Sequence, residues 1–198
     1  DQDTRVKHVF SNEKGTALNM SVRENGTYSS QVNEKKTWNV TVDDIPEPVV
    51  LNGTWQLDFR AEDNYKANLE INKLFDWSEH ELETIKHYSG TAIYTTNFTI
   101  EKGMLQADRL FELDLGEVNV IANVRLNGQP IGISWVAPHT LDVTSALKEG
   151  ENILVVELTN QWTNRLIGDE KLPNQTGYRI TQVDNGFGQK MPTWFRNN

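Results

Sequence analysis

Apolar and polar residues alternate with a period of two in four segments of the chain. In "TAIYTTNFTI" one face carries Ala92, Tyr94, Thr96, Phe98 and Ile100. The apolar faces of the other three segments carry Phe111, Leu113 and Leu115; Val118, Val120, Ala122, Val124 and Leu126; and Leu154, Val156 and Leu158. This period is typical of half-buried antiparallel strands, and the turn-forming stretches "EKG", "NGQ" and "KEGEN" separate them. The pattern therefore predicts an all-β protein, an antiparallel β-sandwich or jelly roll.

Turn signals predict two hairpins. Asn127-Gly128 lies between two alternating runs, which is the strongest short-range signal for a β-hairpin. Asn25-Gly26 predicts a second hairpin within "LNMSVRENGTYSSQV". Only "DWSEHELETIKHY" has a helical pattern, in which Ser78 would cap the helix and Glu81 would complete a capping box. That stretch is also compatible with an ordered loop.

The sequence predicts two structural units. Pro46 and Pro48 favour an extended linker, so we place a boundary there. We expect residues 1–48 to be the closing strands of a preceding β domain plus the linker, and residues 49–198 to form the jelly-roll domain. The abrupt ends "DQDTRVKHVF" and "TWFRNN" predict that the chain is a fragment of a longer protein.

Composition excludes several kinds of chemistry. The 198 residues include no Cys, so disulfides, thiol catalysis and Cys-ligated zinc are impossible. The net charge of −9, spread along the chain, argues against nucleic acid or an anionic membrane as a partner. No apolar run reaches the roughly 18 residues of a membrane span. Asn-Xaa-Ser/Thr sequons occur at Asn19, Asn25, Asn39, Asn52, Asn97 and Asn174, and we interpret them as chance matches.

Several motifs in a fixed order resemble a known domain. They are "LNGTWQLDF", "LFDWSEHELETIKHYSGTAIYTTNF", "LDLGEV", "VRLNGQPIG", "LDVTSALKEGENILVVELTN" and "NQWTNRLIGDEKLP". Together they resemble the galactose-binding-like β-sandwich of glycoside hydrolase family 2. They are also similar to the C-terminal sandwich of bacterial family 106 α-L-rhamnosidase-like proteins. The resemblance covers roughly Ile45–Pro173 and implies a galactose-binding-like jelly roll.

The resemblance also implies partners and a location. It implies a noncatalytic domain that contacts carbohydrate and the catalytic domain of the same polypeptide, within a periplasmic or extracellular bacterial enzyme of polysaccharide breakdown. The parent enzyme would be α-L-rhamnosidase-like or β-galactosidase-like. No cofactor is expected, although such sandwiches can hold a structural calcium, whose ligands we cannot place. Structural roles are implied for Gly128, Gly132, Asp142, Gly150 and Asn152: glycines where the backbone turns or approaches closely, a cap on "TSAL", and the entry to the next strand.

The sequence offers no catalytic constellation. The neighbouring acids Glu79, Glu81 and Glu83, and the adjacent Asp169 and Glu170, do not form a pair that faces across a cleft. The chain also lacks the βαβ alternation of a catalytic barrel. "HELET" has Thr84 where a zinc protease needs its second His. "DNGFG" at 184–188 lacks the alternating oxygen ligands of a calcium loop. We therefore predict no catalytic residue and no metal ligand.

Candidate carbohydrate contacts are aromatic residues near polar groups, because pyranose rings present apolar faces. We expect Trp38 and Trp55 to lie in the core, and Trp77 is compatible with either role. The candidate ligand-binding residues, expected on loops, are Trp135, His139, Trp162, Asn164 and Arg165.

Two functions remain open. One is the carbohydrate-binding accessory domain. The alternative is a purely structural sandwich that buttresses the catalytic barrel and binds no sugar. Under that alternative, Arg165 pairs with Asp169 or Glu170, and Trp162 covers the core.

Overall fold

The chain divides into two compact units, Asp1–Val50 and Leu51–Asn198. The computed structural model describes residues 5–11, 14, 17–32, 36–60 and 66–170. Strands dominate both units, which confirms the all-β class. The C-terminal stretch that contains "DNGFG", Asn174 and Trp194 lies outside the described residues.

The first unit is built from two antiparallel strand pairs. Its strands are β1 (Val6–Ser11), β2 (Leu18–Val22), β3 (Gly26–Val32) and β4 (Lys36–Val42). Because β2 pairs with β1 and β3 pairs with β4, the hairpin predicted at Asn25-Gly26 is wrong. The Asn25 side chain instead donates to the Ile45 carbonyl at 3.1 Å and accepts from the Ile45 amide at 2.9 Å. The side-chain amide of Asn25, which was expected to lie in a hairpin turn, is therefore bonded to a residue outside that turn.

Trp38 in β4 is 55% exposed, so its predicted place in the core is wrong. The strand pair β3–β4 buries Tyr28, whose cross-strand partner is Val40. Trp38 lies opposite Ser30. A two-stranded sheet offers too little surface to cover a second large ring, and the alternating pattern alone does not report how many strands surround it.

The second unit contains the main sheet. Its elements are β5 (Trp55–Arg60), β6 (Lys66–Ile71), a 3₁₀ turn (Trp77–Glu79), α1 (Glu83–Lys86), β7 (Thr91–Ile100), β8 (Glu112–Asp114), β9 (Ile121–Leu126), β10 (Gln129–Ser134), β11 (Thr140–Asp142), β12 (Gly150–Thr159) and α2 (Thr163–Glu170). Six strands form an antiparallel sheet in the order β10-β9-β12-β7-β5-β6. The short pair β8–β11 contributes Leu113 and Leu141 to the same core, which gives the predicted sandwich.

The core confirms the predicted faces. Its fully buried members include Leu57, Phe59, Ala92, Ala122, Val124, Leu126 and Leu154. Trp55 is also buried, as predicted. Each large apolar side chain removed from water contributes about 1.5–3 kcal/mol to folding, so the alternating positions are the main source of stability.

The predicted hairpin at Asn127-Gly128 is confirmed. Leu126 pairs with Gln129, and the two turn residues have φ values of +53° and +81°. Both are positive, as a two-residue type I′ turn requires. Gly132 packs closely against Leu141, since a Cβ there would lie 3.3 Å from Leu141 Cδ2. The expected cap is also present, because Asp142 Oδ1 accepts from the Thr144 amide at 2.9 Å.

The single predicted helical stretch forms two short turns. The carboxylate of Asp76, and not Ser78, caps the 3₁₀ turn, since its Oδ1 accepts from the Ser78 amide at 2.8 Å. Helix α1 begins after Leu82 without a side-chain cap. The predicted capping box between Ser78 and Glu81 is therefore wrong, because no helix continues from one to the other.

Candidate functional site

The sheet brings both predicted groups of ligand-binding residues to one end. Ser134 of β10 and Leu158 of β12 lie on either side of Ala122 in β9. Trp135 follows Ser134, and Asn160 follows the end of β12. Neighbouring strands are about 4.8 Å apart, so the backbones of β10 and β12 are separated by about 10 Å. The candidate residues around Trp135 and those after Asn160 therefore extend from the same end of the sheet.

Trp135 lies at the end of the edge strand β10 and is 71% exposed. Ile133 and Val136 beside it are also exposed. His139 is held nearby, because its Nδ1 lies 2.8 Å from the hydroxyl of the buried Ser134. The Ala137–Pro138 peptide between them is cis. This segment presents an aromatic ring to solvent beside an anchored imidazole.

Asn164 and Arg165 lie on helix α2, which corrects their expected place on a loop. Arg165 Nε donates to Asp169 Oδ1 at 3.1 Å, and Asp169 is buried. The Arg165 amide donates to the Ser89 hydroxyl at 3.0 Å. The ion pair that the structural interpretation predicted is thus present. Trp162, just before the helix, is 47% exposed, so nearly half of its surface is not buried against the core.

Contacts with His87 fix the position of α2. His87 Nδ1 lies 3.2 Å from the Asn164 carbonyl oxygen, and its Nε2 lies 3.0 Å from Glu83 Oε2. On the same helix, a Cβ added to Gly168 would lie 2.6 Å from the Cβ and Cγ of His87. The helix therefore approaches α1 as closely as a glycine permits, and this contact sets the direction of the Asn164 backbone.

A groove opens between α2 and the irregular segment before α1. It has a volume of about 340 Å³. It is lined by Leu74, Phe75, Asp76, Trp77, Glu117, Asn119, Leu158, Asn160 and Asn164. A second hollow of about 360 Å³ shares Phe75 and Asp76 with it and adds Glu79, His80 and Glu81. Volumes of this size fall at the lower end of small-molecule sites, about 300–1,000 Å³. Of the five predicted ligand-binding residues, Asn164 lines the groove.

The wall of the groove is rigid. Asn160 accepts from the Gly90 amide at 2.9 Å and donates to the Tyr88 carbonyl at 2.8 Å, so its amide group has a structural role. Trp77 Nε1 donates to the Tyr94 hydroxyl at 2.6 Å. Burial raises the pKa of Tyr94, so its hydroxyl stays protonated. Trp77 is therefore held in place in the wall of the groove, and Phe75 beside it packs against the same core.

Unlike Asn160 and Trp77, the polar side chains at the mouth of the groove keep hydrogen-bonding groups that a ligand could use. Within the part of the chain that the structure describes, the side chains of Glu117, Asn119 and Asn164 make no hydrogen bond. Asp76 uses Oδ1 to cap the 3₁₀ turn and has no described partner at Oδ2. These four groups offer both donors and acceptors to a hydroxylated ligand.

Sequence reasoning missed Asp76, Glu117 and Asn119. Asp76 and Glu117 come from two loops that are 41 residues apart in the chain. Both loops lie in motifs of the family resemblance, but neither motif marks these side chains as a site. The backbone gives one local sign: Val120, next to Asn119, has a φ of +119°. A positive φ is an outlier for a β-branched residue, and such strain collects at functional positions.

The acidic residues that the sequence analysis considered for catalysis do not line the groove. Asp169 is engaged by Arg165, while Glu79 and Glu81 are exposed at the second hollow. In the described ranges, no three His, Asp or Glu side chains are grouped so that they could hold a metal ion. The described helices are also each too short or too polar to cross a bilayer.

Comparison with known proteins identifies the domain. The family model described as glycosyl hydrolase 2 galactose-binding domain-like matches residues 38–195. The chain therefore belongs to this family of glycoside hydrolase-associated domains, as the sequence motifs indicated.

Three relatives illustrate the similarity. A protein of Formosa agariphila named "Putative beta-glucuronidase" is 43% identical over 176 residues, which are 87% of this chain and 14% of that protein. The solved rhamnosidase from Novosphingobium sp. PP1Y matches with a TM-score of 0.60 and 36% identity, over 69% of this chain and 13% of that one. The Ruminococcus gnavus beta-glucuronidase has a TM-score of 0.48 and 19% identity, over 72% of this chain and 24% of that one. The chain thus spans about one seventh of the length of the first two relatives.

Proposed function

We propose that this domain is a noncatalytic, carbohydrate-contacting accessory domain of a bacterial glycoside hydrolase. It works beside a catalytic domain of the same polypeptide in the periplasm or outside the cell. The observation that carries this proposal is the groove: aromatic residues form its wall, and hydrogen-bonding groups without described partners stand at its mouth. Sugar sites use this combination because the ring faces are apolar and the hydroxyls need donors and acceptors.

The parent enzyme that we propose is of the α-L-rhamnosidase type. The similarity to the Novosphingobium enzyme, at 36% identity, supports this choice. The name of the Formosa protein makes a glucuronidase the second candidate. The domain itself supplies binding and no bond cleavage, because the candidate acids do not face one another as a pair. Asp169 is held by Arg165, and Glu83 lies 3.0 Å from His87 Nε2. The other three acids, Glu79, Glu81 and Glu170, are exposed.

Titration with neutral sugars tests the proposal. We expect methyl α-L-rhamnoside or methyl β-D-galactoside to shift the amide signals of the groove residues in ¹H–¹⁵N NMR. The Kd should be in the millimolar to micromolar range, as a rough estimate for one aromatic surface and a few hydrogen bonds. Asn119→Ala and Asn164→Ala should each weaken binding about two- to tenfold, the equivalent of one hydrogen bond. Asn68→Ala, on the exposed face of the edge strand β6, is the matched control and should leave the Kd unchanged.

The same protein samples should release no aglycone from aryl α-L-rhamnoside or aryl β-D-galactoside. Turnover that vanishes in Glu81→Gln or Asp169→Asn would contradict the noncatalytic part of the proposal. Absence of any NMR shift with sugars well above the expected Kd would contradict the binding part.

The structural alternative has its own supporting observation. Ile133, Trp135 and Val136 form an exposed apolar run at the sheet edge, with exposures of 62%, 71% and 63%. Such a run fits either a sugar platform or a contact with a neighbouring domain. Trp135→Ala tests the first of these: weaker sugar binding assigns Trp135 to the carbohydrate surface, and an unchanged Kd removes it from that surface.

A further inference from the structure

We infer that the groove accepts neutral glycosyl residues and discriminates against uronates, with Asp76 and Glu117 as the discriminating groups. The inference rests on the proposed carbohydrate contact and names the class of sugar that this contact selects. It concerns the charge of the ligand, which family membership does not determine.

The lining of the groove carries charge of one sign. Asp76 and Glu117 are its ionisable side chains, and no Lys or Arg is among the described lining residues. The adjoining hollow adds two more carboxylates, Glu79 and Glu81, together with His80. Two cations adjoin lining residues in the sequence: Lys73 precedes Leu74 but is not itself a lining residue, and Arg165 follows Asn164 but donates to Asp169. The ionisable side chains that a ligand meets in the lining of the groove therefore carry negative charge.

Carboxylates and neutral sugars are chemically complementary. An ionised carboxylate only accepts hydrogen bonds, and a sugar ring offers several hydroxyl donors. Hydrogen bonds to a charged acceptor are stronger than those between neutral groups, so Asp76 and Glu117 favour hydroxyl-bearing ligands. The amide groups of Asn119 and Asn164 add donors for the ring and hydroxyl oxygens.

A uronate loses these advantages. Its own carboxylate cannot donate a hydrogen bond, and it would lie within a few ångströms of two like charges. Repulsion between unit charges at that distance near a protein surface corresponds to about a tenfold or greater loss of affinity. The amide donors of the groove are neutral, so they do not cancel this repulsion.

The position of Asp76 supports this role. Its Oδ1 accepts from both the amide and the hydroxyl of Ser78, each at 2.8 Å. These two bonds orient the carboxylate and leave Oδ2 for other partners. The charge of Asp76 also acts on Tyr94, the hydrogen-bond partner of Trp77, where it adds to the larger effect of burial in raising the pKa of the Tyr94 hydroxyl.

Two matched pairs of sugars test the inference on the complete 198-residue chain. The first pair is methyl β-D-glucoside and methyl β-D-glucuronide, and the second is methyl β-D-galactoside and methyl β-D-galacturonide. Within each pair only the group at carbon 6 differs, a hydroxymethyl or a carboxylate. We expect the uronide of a binding pair to bind about tenfold more weakly at low salt. The gap should narrow at high salt, because screening weakens interactions between surface charges.

Charge-neutral variants assign the effect to the groove. In the double variant Asp76→Asn and Glu117→Gln, we expect the uronide Kd to approach that of its neutral partner. Asn keeps the capping acceptor of position 76, so the fold should be preserved. The control is Glu101→Gln with Glu151→Gln, two exposed acids at the opposite end of the sheet, where Gly150 pairs with Ile100. The control changes the net charge equally and should retain the full discrimination.

Each outcome decides a separate point. Equal binding of the two members of a pair, or tighter binding of the uronide, overturns the inference and leaves the proposed carbohydrate contact intact. Loss of discrimination in the control variant overturns the assignment to Asp76 and Glu117. No binding of any of the four sugars overturns the inference. If methyl α-L-rhamnoside also fails to bind, the proposed function itself is overturned.

Discussion

At the scale of single residues, Asn152 joins the hairpin to the turn that precedes β12. It is fully buried, and its Oδ1 accepts from Asn127 Nδ2 at 2.8 Å and from the Lys148 amide at 3.1 Å. Its Nδ2 donates to the carbonyls of Lys148 and Gly150, at 2.8 and 2.9 Å. Asn127 in turn donates to the Ala146 carbonyl and accepts from the Ile153 amide. The side-chain carboxamides of Asn127 and Asn152 thus bond backbone amide and carbonyl groups where the chain turns.

Replacing this side chain should destabilise the whole second unit. Asn152→Ala leaves two donors and two acceptors of the turn without their partner in a buried place. We expect the free energy of unfolding to fall by about 2–4 kcal/mol, the usual cost of a few unsatisfied buried groups. Urea unfolding monitored by Trp fluorescence would measure it. Asn68→Ala, on the exposed face of β6, should change it by less than about 0.5 kcal/mol. A comparably small change for Asn152→Ala would show that water replaces the amide at no cost.

At the scale of secondary-structure elements, α2 connects the sheet to the candidate site. It begins four residues after β12 ends and places Asn164 at the groove. The sequence "WTNRLIGDE" contains a glycine near the helix end, which lowers helix propensity by about 1 kcal/mol relative to Ala. Packing explains the glycine, because only the absence of a Cβ at position 168 allows the helix to contact His87.

The sign of the change in unfolding free energy on one substitution, Gly168→Ala, shows whether helix propensity or packing dominates at this position. Gly168→Ala raises helix propensity but puts a Cβ 2.6 Å from His87. We expect a net loss of about 1–3 kcal/mol in the free energy of unfolding, as for other overpacked sites. The double variant His87→Gly with Gly168→Ala should be less destabilised than the sum of its two single variants, since both the Cβ and the ring that the new Cβ would meet are removed. A Gly168→Ala variant that is more stable than the parent would mean that α2 does not pack against His87 in solution.

At the scale of the whole molecule, the buried core belongs to the second unit. The core cluster and the apolar side chains packed against it all come from residues 51–158. The boundary predicted between residues 48 and 49 stays a prediction. The family match begins earlier in the chain, at residue 38.

Truncation tests that boundary. A chain that begins at Val49 retains every residue of the core cluster, so we expect it to unfold in a single cooperative thermal transition. Near-ultraviolet circular dichroism and calorimetry would follow that transition, with the complete chain as the reference. Loss of the cooperative transition would show that strands before residue 49 complete the sandwich.

Period-two patterning and one Asn-Gly turn were enough to predict most of the fold of the second unit. Alternation reports which face of a strand is buried, and the turn chemistry of Asn127-Gly128 fixes a hairpin locally; both are properties of neighbouring residues. The same reasoning failed at Asn25-Gly26 and Trp38, where pairing between strands and the size of a sheet decide the outcome. It also missed α2, whose position depends on the contact between Gly168 and His87.

The candidate site was the least predictable part. The sequence by itself determined the strands, the main turn and the family, because these follow from local patterns and ordered motifs. Only the tertiary structure decided the groove, since segments 74–77, 117–119 and 158–164 meet there through the register of β9 and β12 and the packing of α2. Proximity between segments so far apart in the chain depends on long-range packing, and no local pattern encodes it.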